Sequence, residues 1–493
     1  MEDNLKAKTT AAFGWAVGGQ FSNQGIGFVI SIVLARILTP EDFGLASLVL
    51  VVNLVGQVFL DAGLTAGLIR QKRITETELS TFFYLNIILG ILIMLIIIVS
   101  SNLISSLFKN GDLSGLLKLS SIQFFISSFG LMPSVLMKRE LNFRFLSQLD
   151  VVVNVISGIV TIILALIGFG VYSLIFRSIV SGFINVGLLW YKTTWRPSFV
   201  FSFASIKTTF NYSSGILGLG IINTVSNNFS TILIGKFLSV SAIGIYNRAD
   251  STRGLVLKSF GPLFNKVFFP VLSKIQDDEK RLQSYYLKAI QVVSLLTVFF
   301  MAFMFLFSDT LIYYLYGKQW MTAAPILKTL CIAGFVMPIS NINLNLFMVK
   351  GKSRFLMIYE LFKHILAAII MTVCIAFGMQ FFLYSLVGLA YLFFIMNIYL
   401  TYKKFNFSMK AQLLAFASKF IPGIILVIIL DVFFVPAQVS VKSLLIVAPI
   451  FTILYFLSSF LIDKELYNLI KSIALPRINN AMKLFKRVFG IIK

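Results

Sequence analysis

QFSNQGIGFVISIVLARILTPEDFG occupies residues 20–44, and a related stretch, GIINTVSNNFSTILIGKFLSVSAIG, occupies residues 220–244. The positions that match at an offset of 200 are mostly small, polar or cationic: Asn23 with Asn223, Gly27 with Asn227, Arg36 with Lys236, Thr39 with Ser239, and Gly44 with Gly244. A second match follows in the same order at an offset of 210, where residues 144–150 correspond to residues 354–360. The two matches predict two homologous lobes, a duplication that is common in transporters.

The composition shows where these lobes reside. Of the 493 residues, 58% are hydrophobic and 12% are charged, which excludes a water-soluble globular protein. A helix of about 20 apolar residues crosses the ~30 Å hydrocarbon core of a bilayer. We therefore predict an all-α polytopic membrane protein with 14 spans, at residues 11–35, 42–66, 81–106, 114–137, 149–169, 171–190, 209–235, 242–271, 284–307, 322–348, 354–378, 381–402, 411–431 and 441–462.

The chain divides into four segments, of which the first three contain the spans. Two six-helix lobes around a central cavity are expected at residues 1–207 and 208–402, followed by two further helices within 403–462. In the tail, 463–493, apolar and basic residues separate onto different sides of a helix, which predicts an amphipathic anchor on the inner leaflet.

The basic residues indicate the orientation. The net charge is +23, and 28 of the 42 Lys and Arg residues fall in intervals that face inward if the N-terminus is cytoplasmic, against six in outward intervals. The positive-inside rule then predicts that both termini are cytoplasmic. This placement explains the basic charge without nucleic acid as a partner.

Several function classes lack their sequence signals. There is no phosphate-binding loop, no zinc-ligand pair and no nucleophile motif, and Cys331 and Cys374 both fall inside predicted spans. The outward intervals are short, so a catalytic domain outside the membrane has no place. We expect no enzyme activity, no cofactor and no metal.

The first helix of each lobe carries an uncharged polar face. Gln20, Asn23 and Gln24 share one side of the first helix, and Asn223 and Asn227 share the matching side of the seventh. Such faces either join membrane helices through hydrogen bonds or line a water-filled cavity. Their recurrence in both lobes favours the cavity.

Cations inside predicted spans point to an anionic substrate. Arg248, Arg253 and Lys258 lie in the eighth span, and Arg177 lies in the sixth. A charge at this depth costs at least ~2.5 kcal/mol on insertion scales, so we expect these cations to line an anion-binding cavity. The alternative for Arg253 is neutralisation by Asp250, three residues before it on the helix.

Three further residues are candidates for ion coupling. Glu360 and His364 share a face of the eleventh span with Lys363, and Asp61 lies near the inner end of the second. A buried Glu and His in this arrangement could relay protons. A structural ion pair for Glu360 and a helix-packing hydrogen bond for Asp61 are equally compatible with the sequence.

The segment Leu34-Ala35-Arg36-Ile37-Leu38-Thr39-Pro40-Glu41-Asp42-Phe43-Gly44 resembles the corresponding segment of the polysaccharide-transporter, or Wzx-like, flippases of the multidrug/oligosaccharidyl-lipid/polysaccharide superfamily. Further matches lie at residues 61–64, 143–146, 168–174, 195–197, 234–237, 244–249, 269–273 and 316–320. The resemblance covers about residues 10–360. This chain departs from it in having Ser230 where many relatives carry an acidic residue, and its first helix lacks the arginine of lipid II flippases.

The resemblance implies a MATE-like fold and a flippase in the bacterial cell membrane. The expected substrate is a polyprenyl-pyrophosphate-linked oligosaccharide for O-antigen, capsule or exopolysaccharide, moved by alternating access with an ion gradient as energy source. Polysaccharide polymerase and export proteins are possible partners. The alternatives are a MATE-type multidrug efflux antiporter, whose cationic substrates would favour acidic cavity residues, and a membrane polymerase or ligase, which would need larger outer loops.

Overall fold

Helices make up nearly all of the described chain, because a segment in hydrocarbon must satisfy every backbone hydrogen bond internally. The computed structural model describes residues 2–61, 63–70, 74–433 and 441–463, and no β-strand occurs among them. In chain order the helices are α1 (Glu2–Ile37), α2 (Pro40–Asp61), α3 (Leu64–Arg70), α4 (Glu76–Leu107), α5 (Asp112–Ser128), α6 (Leu131–Arg139), α7 (Phe143–Leu166), α8 (Val171–Lys192), α9 (Phe203–Phe237), α10 (Val240–Lys274), α11 (Glu279–Leu306), α12 (Ser308–Tyr316), α13 (Ala323–Gly334), α14 (Met337–Val349), α15 (Ser353–Ile375), α16 (Met379–Phe405), α17 (Met409–Phe433) and α18 (Val441–Ile462).

The start of α2 follows from its sequence. The Asp42 carboxylate accepts a hydrogen bond from the backbone N–H of Thr39 at 2.9 Å, and the Thr39 hydroxyl accepts one from the N–H of Asp42 at 3.2 Å. Pro40 occupies the first helical position, where its missing N–H costs nothing. At the start of α10, Ser239 corresponds to Thr39, and its Oγ accepts a hydrogen bond from the backbone N–H of Ala242 at 3.1 Å.

The helix ends repeat at the offsets seen in the sequence. Helix α1 ends at Ile37 and α9 at Phe237, and the next helices begin at Pro40 and Val240. Helices α7 and α15 begin 210 residues apart, at 143 and 353. The internal repeat therefore extends from residue types to the positions at which helices stop and restart.

A reciprocal glycine contact joins the first turns of α2 and α10. A Cβ atom at Gly44 would overlap the carbonyl oxygen of Val240, and a Cβ atom at Gly244 would overlap the carbonyl oxygen of Pro40. Positions 40 and 240 correspond in the repeat, as do 44 and 244. Gly44 thus packs against the backbone just before Gly244, and Gly244 packs against the backbone just before Gly44. Only glycine permits so close a crossing of two helices.

The chain forms two units. The first comprises the described residues up to Asn247 together with Leu315–Gln319. Within it, the side chain of Gln319 donates to the carbonyl oxygens of Ala35, at 2.7 Å, and Leu38, at 3.2 Å. This amide caps two carbonyl groups at the end of α1.

The second unit comprises Arg248–Tyr314 and the described residues from Trp320 onward. Its core includes a fully buried tyrosine, Tyr286, whose hydroxyl lies 2.8 Å from the amide oxygens of both Asn343 and Gln412. Another, Tyr455 on α18, donates to the carbonyl oxygen of Leu295 at 3.0 Å. These bonds tie α11 to α14, α17 and α18, because a buried hydroxyl must find a partner.

Each of the 14 predicted spans overlaps a helix, but the number of spans is not confirmed. In the described chain, 11 helical segments are long and apolar enough to cross a membrane, with α13 and α14 counted together as one segment, or 12 if α5 and α6, bent by 46° at their junction, form one span. Helices α1 and α10 are not among them, and α10 carries the cations of the predicted eighth span. The lobe boundaries proposed from the sequence stay predictions, and the tail 464–493 lies outside the described residues.

Candidate functional site

A chain of polar side chains crosses three helices of the first unit. Arg177 on α8 donates from Nη2 to Oδ1 of Asn154 on α7 at 2.7 Å. The Nδ2 of Asn154 donates in turn to Asn23 on α1, to its backbone oxygen at 3.0 Å and its Oδ1 at 2.5 Å. The structure therefore brings together Arg177 and Asn23, two predicted site residues, through Asn154.

Glycines allow α1 and α7 to approach closely enough for this contact. A Cβ atom at Gly27 would lie 3.5 Å from Nδ2 of Asn154, so the amide sits directly beside the α1 backbone. One turn after Asn154, a Cβ atom at Gly158 would overlap the side chain of Ile30. The small residues at 27 and 158 thus create the helix contact that positions Asn154.

The Arg177 guanidinium keeps its charge and most of its donors. It is half-buried, and among the described residues no carboxylate lies within 4.0 Å of it. Asn154 is neutral and satisfies one of the five guanidinium N–H groups. A cation held by an amide in this way is suited to bind phosphate, which arginine contacts through two parallel hydrogen bonds.

The other predicted polar-face residues lie around this cluster or along α9. Gln20 is exposed and Gln24 is half-buried on α1. Asn223 and Asn227 are both exposed on α9. Their amides are accessible, which suits hydrogen bonding to a polar ligand.

The cations predicted in the eighth span lie at the start of the second unit. Arg253 forms an ion pair with Asp250 at 2.5 Å and donates to the carbonyl oxygen of Leu330 at 3.3 Å. Arg248 is 4% exposed, and its guanidinium carbon lies 5.0 Å from the centre of the Trp320 ring, a cation–π geometry. The side chain of Lys258 lies outside the described part of the chain.

Three more intramembrane lysines of the second unit have carboxylate partners. Lys363 pairs with Glu360 at 2.6 Å, Lys328 with Asp309 at 2.7 Å, and Lys419 with Asp463 at 3.1 Å. Lys419 is fully buried and also donates to the carbonyl oxygen of Ser459 at 3.2 Å. Sequence reasoning missed the last two pairs, although a lone lysine within an apolar span signals a buried partner.

Of the coupling candidates, Asp61 belongs to the first unit, and Glu360 and His364 belong to the second. Asp61 on α2 accepts a hydrogen bond from the Thr65 hydroxyl at 2.5 Å. On α15, Glu360 contacts Lys363, whose Nζ also lies 5.1 Å from the centre of the Tyr359 ring, and His364 is half-buried nearby on the helix. Among the residues described, no group of three His, Cys, Asp or Glu is placed to hold a metal ion.

Comparison with solved structures establishes the class of fold. The chain resembles the lipid II flippase MurJ in an inward closed conformation with a TM-score of 0.68 and 14% identity, over 91% of this chain and 98% of that one. It resembles an inward-facing MATE family multidrug transporter of the MOP superfamily with a TM-score of 0.61 and 15% identity, over 78% and 95%. The chain therefore shares the fold of these two membrane transporters.

Comparison with sequences gives the family. Residues 33–325 match the family described as "Polysaccharide biosynthesis protein", and this chain belongs to it. A Klebsiella pneumoniae membrane protein in the cps region is 30% identical, over 71% of this chain and 73% of its own length. The Escherichia coli lipopolysaccharide biosynthesis protein WzxC is 26% identical, over 73% and 74%. The succinoglycan biosynthesis transport protein ExoT of Rhizobium meliloti is 26% identical, over 69% of each chain.

Proposed function

We propose that this protein is a flippase that moves a polyprenyl-pyrophosphate-linked oligosaccharide from the inner to the outer leaflet of a bacterial cell membrane by alternating access. The observation that carries the proposal is the family match over residues 33–325. The names of its relatives support it, because they include a lipopolysaccharide biosynthesis protein and a succinoglycan biosynthesis transport protein. No chemical step is required, so we propose no catalytic residue and no cofactor.

The substrate head sets a physical demand that the first unit can meet. A pyrophosphate and its sugars cannot enter hydrocarbon without replacement of their hydration. We assign the pyrophosphate to Arg177, which Asn154 holds from one side while its other donors remain available. The amides of Asn23, Gln20 and Gln24 on α1 would then hydrogen-bond to the sugars, and Asn223 and Asn227 would act in the same way on α9.

The second unit supplies further cations. Arg248, Arg253 and Lys258 are proposed to contact the anionic head at another stage of transport. For Arg253 this requires exchange of the Asp250 carboxylate for a phosphate, since the carboxylate and the phosphate would compete for the same guanidinium.

An ion gradient is the proposed energy source. Asp61, Glu360 and His364 are the candidates for the coupling ion, either a proton or sodium. Glu360 is the better placed of the carboxylates, since it faces Lys363 and can exchange that partner for a cation. Both termini are proposed to be cytoplasmic, and a polysaccharide polymerase or export protein would receive the product on the outer side.

Deletion of the gene in its own host tests this proposal. We expect loss of one surface polysaccharide and accumulation of its lipid-linked unit in the inner leaflet, both reversed by the wild-type gene. A strain that keeps every surface polysaccharide but becomes sensitive to cationic compounds would instead indicate multidrug efflux, the function named for the MATE family transporter with the same fold.

A further inference from the structure

A long apolar groove runs along three helices of the first unit. It has a volume of about 800 Å³ and is lined by residues of α2, α4 and α9 together with Phe108. The lining includes Val51 and Phe59 from α2, Leu89 and Ile97 from α4, and Ile232 from α9. All the described lining residues except Ser100 and Gly56 are aliphatic or aromatic.

The groove excludes polar ligands. The Ser100 hydroxyl donates to the carbonyl oxygen of Ile96 within its own helix at 2.6 Å, so it offers no donor to a ligand. Buried residues, including Val51, Ile93 and Ile97, form the floor. A hydrocarbon chain is the ligand that this lining fits, because a buried polar group would lack a hydrogen-bond partner.

The length of the groove distinguishes between kinds of hydrocarbon chain. On α4 the lining extends from Leu85 to Leu107. At 1.5 Å per residue this interval is about 33 Å long, which equals the ~30 Å hydrocarbon core of both leaflets together. A phospholipid acyl chain reaches through one leaflet and would fill about half of the groove, whereas a long polyprenyl chain can fill all of it.

The charges at one end fit a phosphate-bearing lipid. A Cβ atom at Gly235 would lie 3.1 Å from Cδ1 of Phe108, so these two residues meet at the end of the groove. The next residue of each segment is an exposed lysine, Lys109 and Lys236. Both cations therefore lie where the head of a lipid would emerge, at the outer surface in the proposed orientation.

We propose that this groove binds the polyprenyl chain of the transported lipid at a stage when its pyrophosphate has passed from Arg177 to the lysines at the outer end. The proposal rests on the flippase function proposed above. It assigns the lipid tail to α2, α4 and α9, apart from the head-binding cluster at Arg177.

Photo-crosslinking tests the occupant directly. The full-length protein in phospholipid vesicles would carry a photoreactive amino acid at Leu89 or Ile104, which line the two halves of the groove, or at Leu95, which is 52% exposed on α4 and does not line it. Radiolabelled long-chain polyprenyl pyrophosphate should label Leu89 and Ile104 several-fold more than Leu95. Geranyl pyrophosphate, which is too short, should label no more than one of the two groove positions. Equal labelling at all three positions, or loss of the difference with excess phospholipid, would overturn the proposal.

Transport in the same vesicles separates this proposal from the function itself. Leu89→Trp fills the groove and should lower the flipping rate several-fold, whereas Leu95→Trp makes the same exchange on the lipid face of α4 and should leave it unchanged. A wild-type protein that flips its substrate without labelling at Leu89 and Ile104 contradicts the groove alone. A wild-type protein that flips nothing contradicts the proposed function, and the labelling pattern still decides whether the groove holds a polyprenyl chain.

Discussion

Four intramembrane cations of the second unit differ from Arg177 of the first unit in the kind of partner they have. In the second unit Arg253, Lys328, Lys363 and Lys419 each have a carboxylate within 3.1 Å. In the first unit Arg177 contacts a neutral amide instead. A carboxylate partner cancels the charge that makes insertion into the membrane costly, whereas the neutral amide partner of Arg177 leaves that charge in place.

This difference separates cations that must exchange a partner before they bind substrate from one that need not. A guanidinium already bonded to a carboxylate must give up that partner before it can bind a phosphate, while Arg177 has to release nothing. The cost of inserting Arg177 is thus explained if a substrate anion completes its coordination during transport. Variants that exchange the two kinds of partner test this interpretation.

Removal of the charge at Arg177 should have the largest effect. Hydrogen bonds to charged groups contribute about 1.5–3 kcal/mol, so Arg177→Ala should lower the flipping rate by about 10- to 100-fold. Arg177→Lys should recover part of it, since lysine keeps the charge but loses the bidentate geometry. The measurement is substrate flipping in proteoliposomes, normalised to the amount of inserted protein. Arg281→Ala removes an arginine whose side chain is 70% exposed; it is the control and should have no effect. A wild-type flipping rate for Arg177→Ala would refute the substrate-binding role of Arg177.

Conversion of the neutral partner of Arg177 into a carboxylate is the next test. Asn154→Asp keeps the size of the side chain but gives Arg177 a carboxylate partner like that of Arg253. We expect a loss of about tenfold, because a charge-assisted bond worth roughly 1.5 kcal/mol or more must then be displaced by the substrate. Asn154→Ala, which leaves Arg177 unpaired, should lose less. If Asn154→Asp flips the substrate as fast as the wild type, the neutrality of the amide is irrelevant.

Substitutions in the ion pair of Asp250 and Arg253 should act mainly by impairing folding. Arg253→Ala leaves the Asp250 carboxylate without its partner, and we expect less protein in the membrane and a several-fold lower total transport. The double variant Asp250→Asn with Arg253→Ala removes both charges and should restore the amount, as quantified by immunoblot of membrane fractions. If the amount recovers but the rate per molecule stays low, Arg253 also contacts the substrate; normal amounts in the single variant would show that the pair is not structural.

The smallest effect is expected at Glu360. Partly exposed ion pairs contribute about 0.2–1 kcal/mol, so Glu360→Gln should lower transport by no more than about fivefold while leaving the amount of protein near normal. The Tyr359 ring still faces Lys363 in this variant and limits the structural damage. Transport measured with and without an imposed proton or sodium gradient gives the decisive readout. A wild-type response to both gradients would place Glu360 outside the coupling machinery.

The sequence predicted most of the helices and part of the site. Each apolar segment overlaps a helix because length and hydropathy suffice to define one. The count of spans was less accessible, since α10 combines the length of a span with the charges of a surface helix. The i, i+3 spacing also offered the pair of Asp250 and Arg253 as the alternative to an anion-binding role for Arg253, and the structure contains that pair.

Contacts between distant helices were beyond the reach of sequence patterns. Asn154 is a single amide within an apolar helix, and its role depends on the packing of α1 and α8 against α7. Lys419 and Asp463 are 44 positions apart, and nothing local to either residue identifies the other. Periodicity describes one helix at a time, whereas a partner is chosen by how helices assemble.

The reciprocal fit of Gly44 and Gly244 bears on the history of the chain. Gly44 packs against the carbonyl oxygen of Val240, which lies four residues before Gly244. Gly244 packs against the carbonyl oxygen of Pro40, which lies four residues before Gly44. Such mutual exchange of partners is the signature of an isologous contact between two identical subunits. The crossing of α2 and α10 therefore has the form of a homodimer interface preserved within one polypeptide. A side chain acquired at either position would strike backbone that no compensating substitution can remove, which explains why these two residues remain identical while so much of the two copies has diverged.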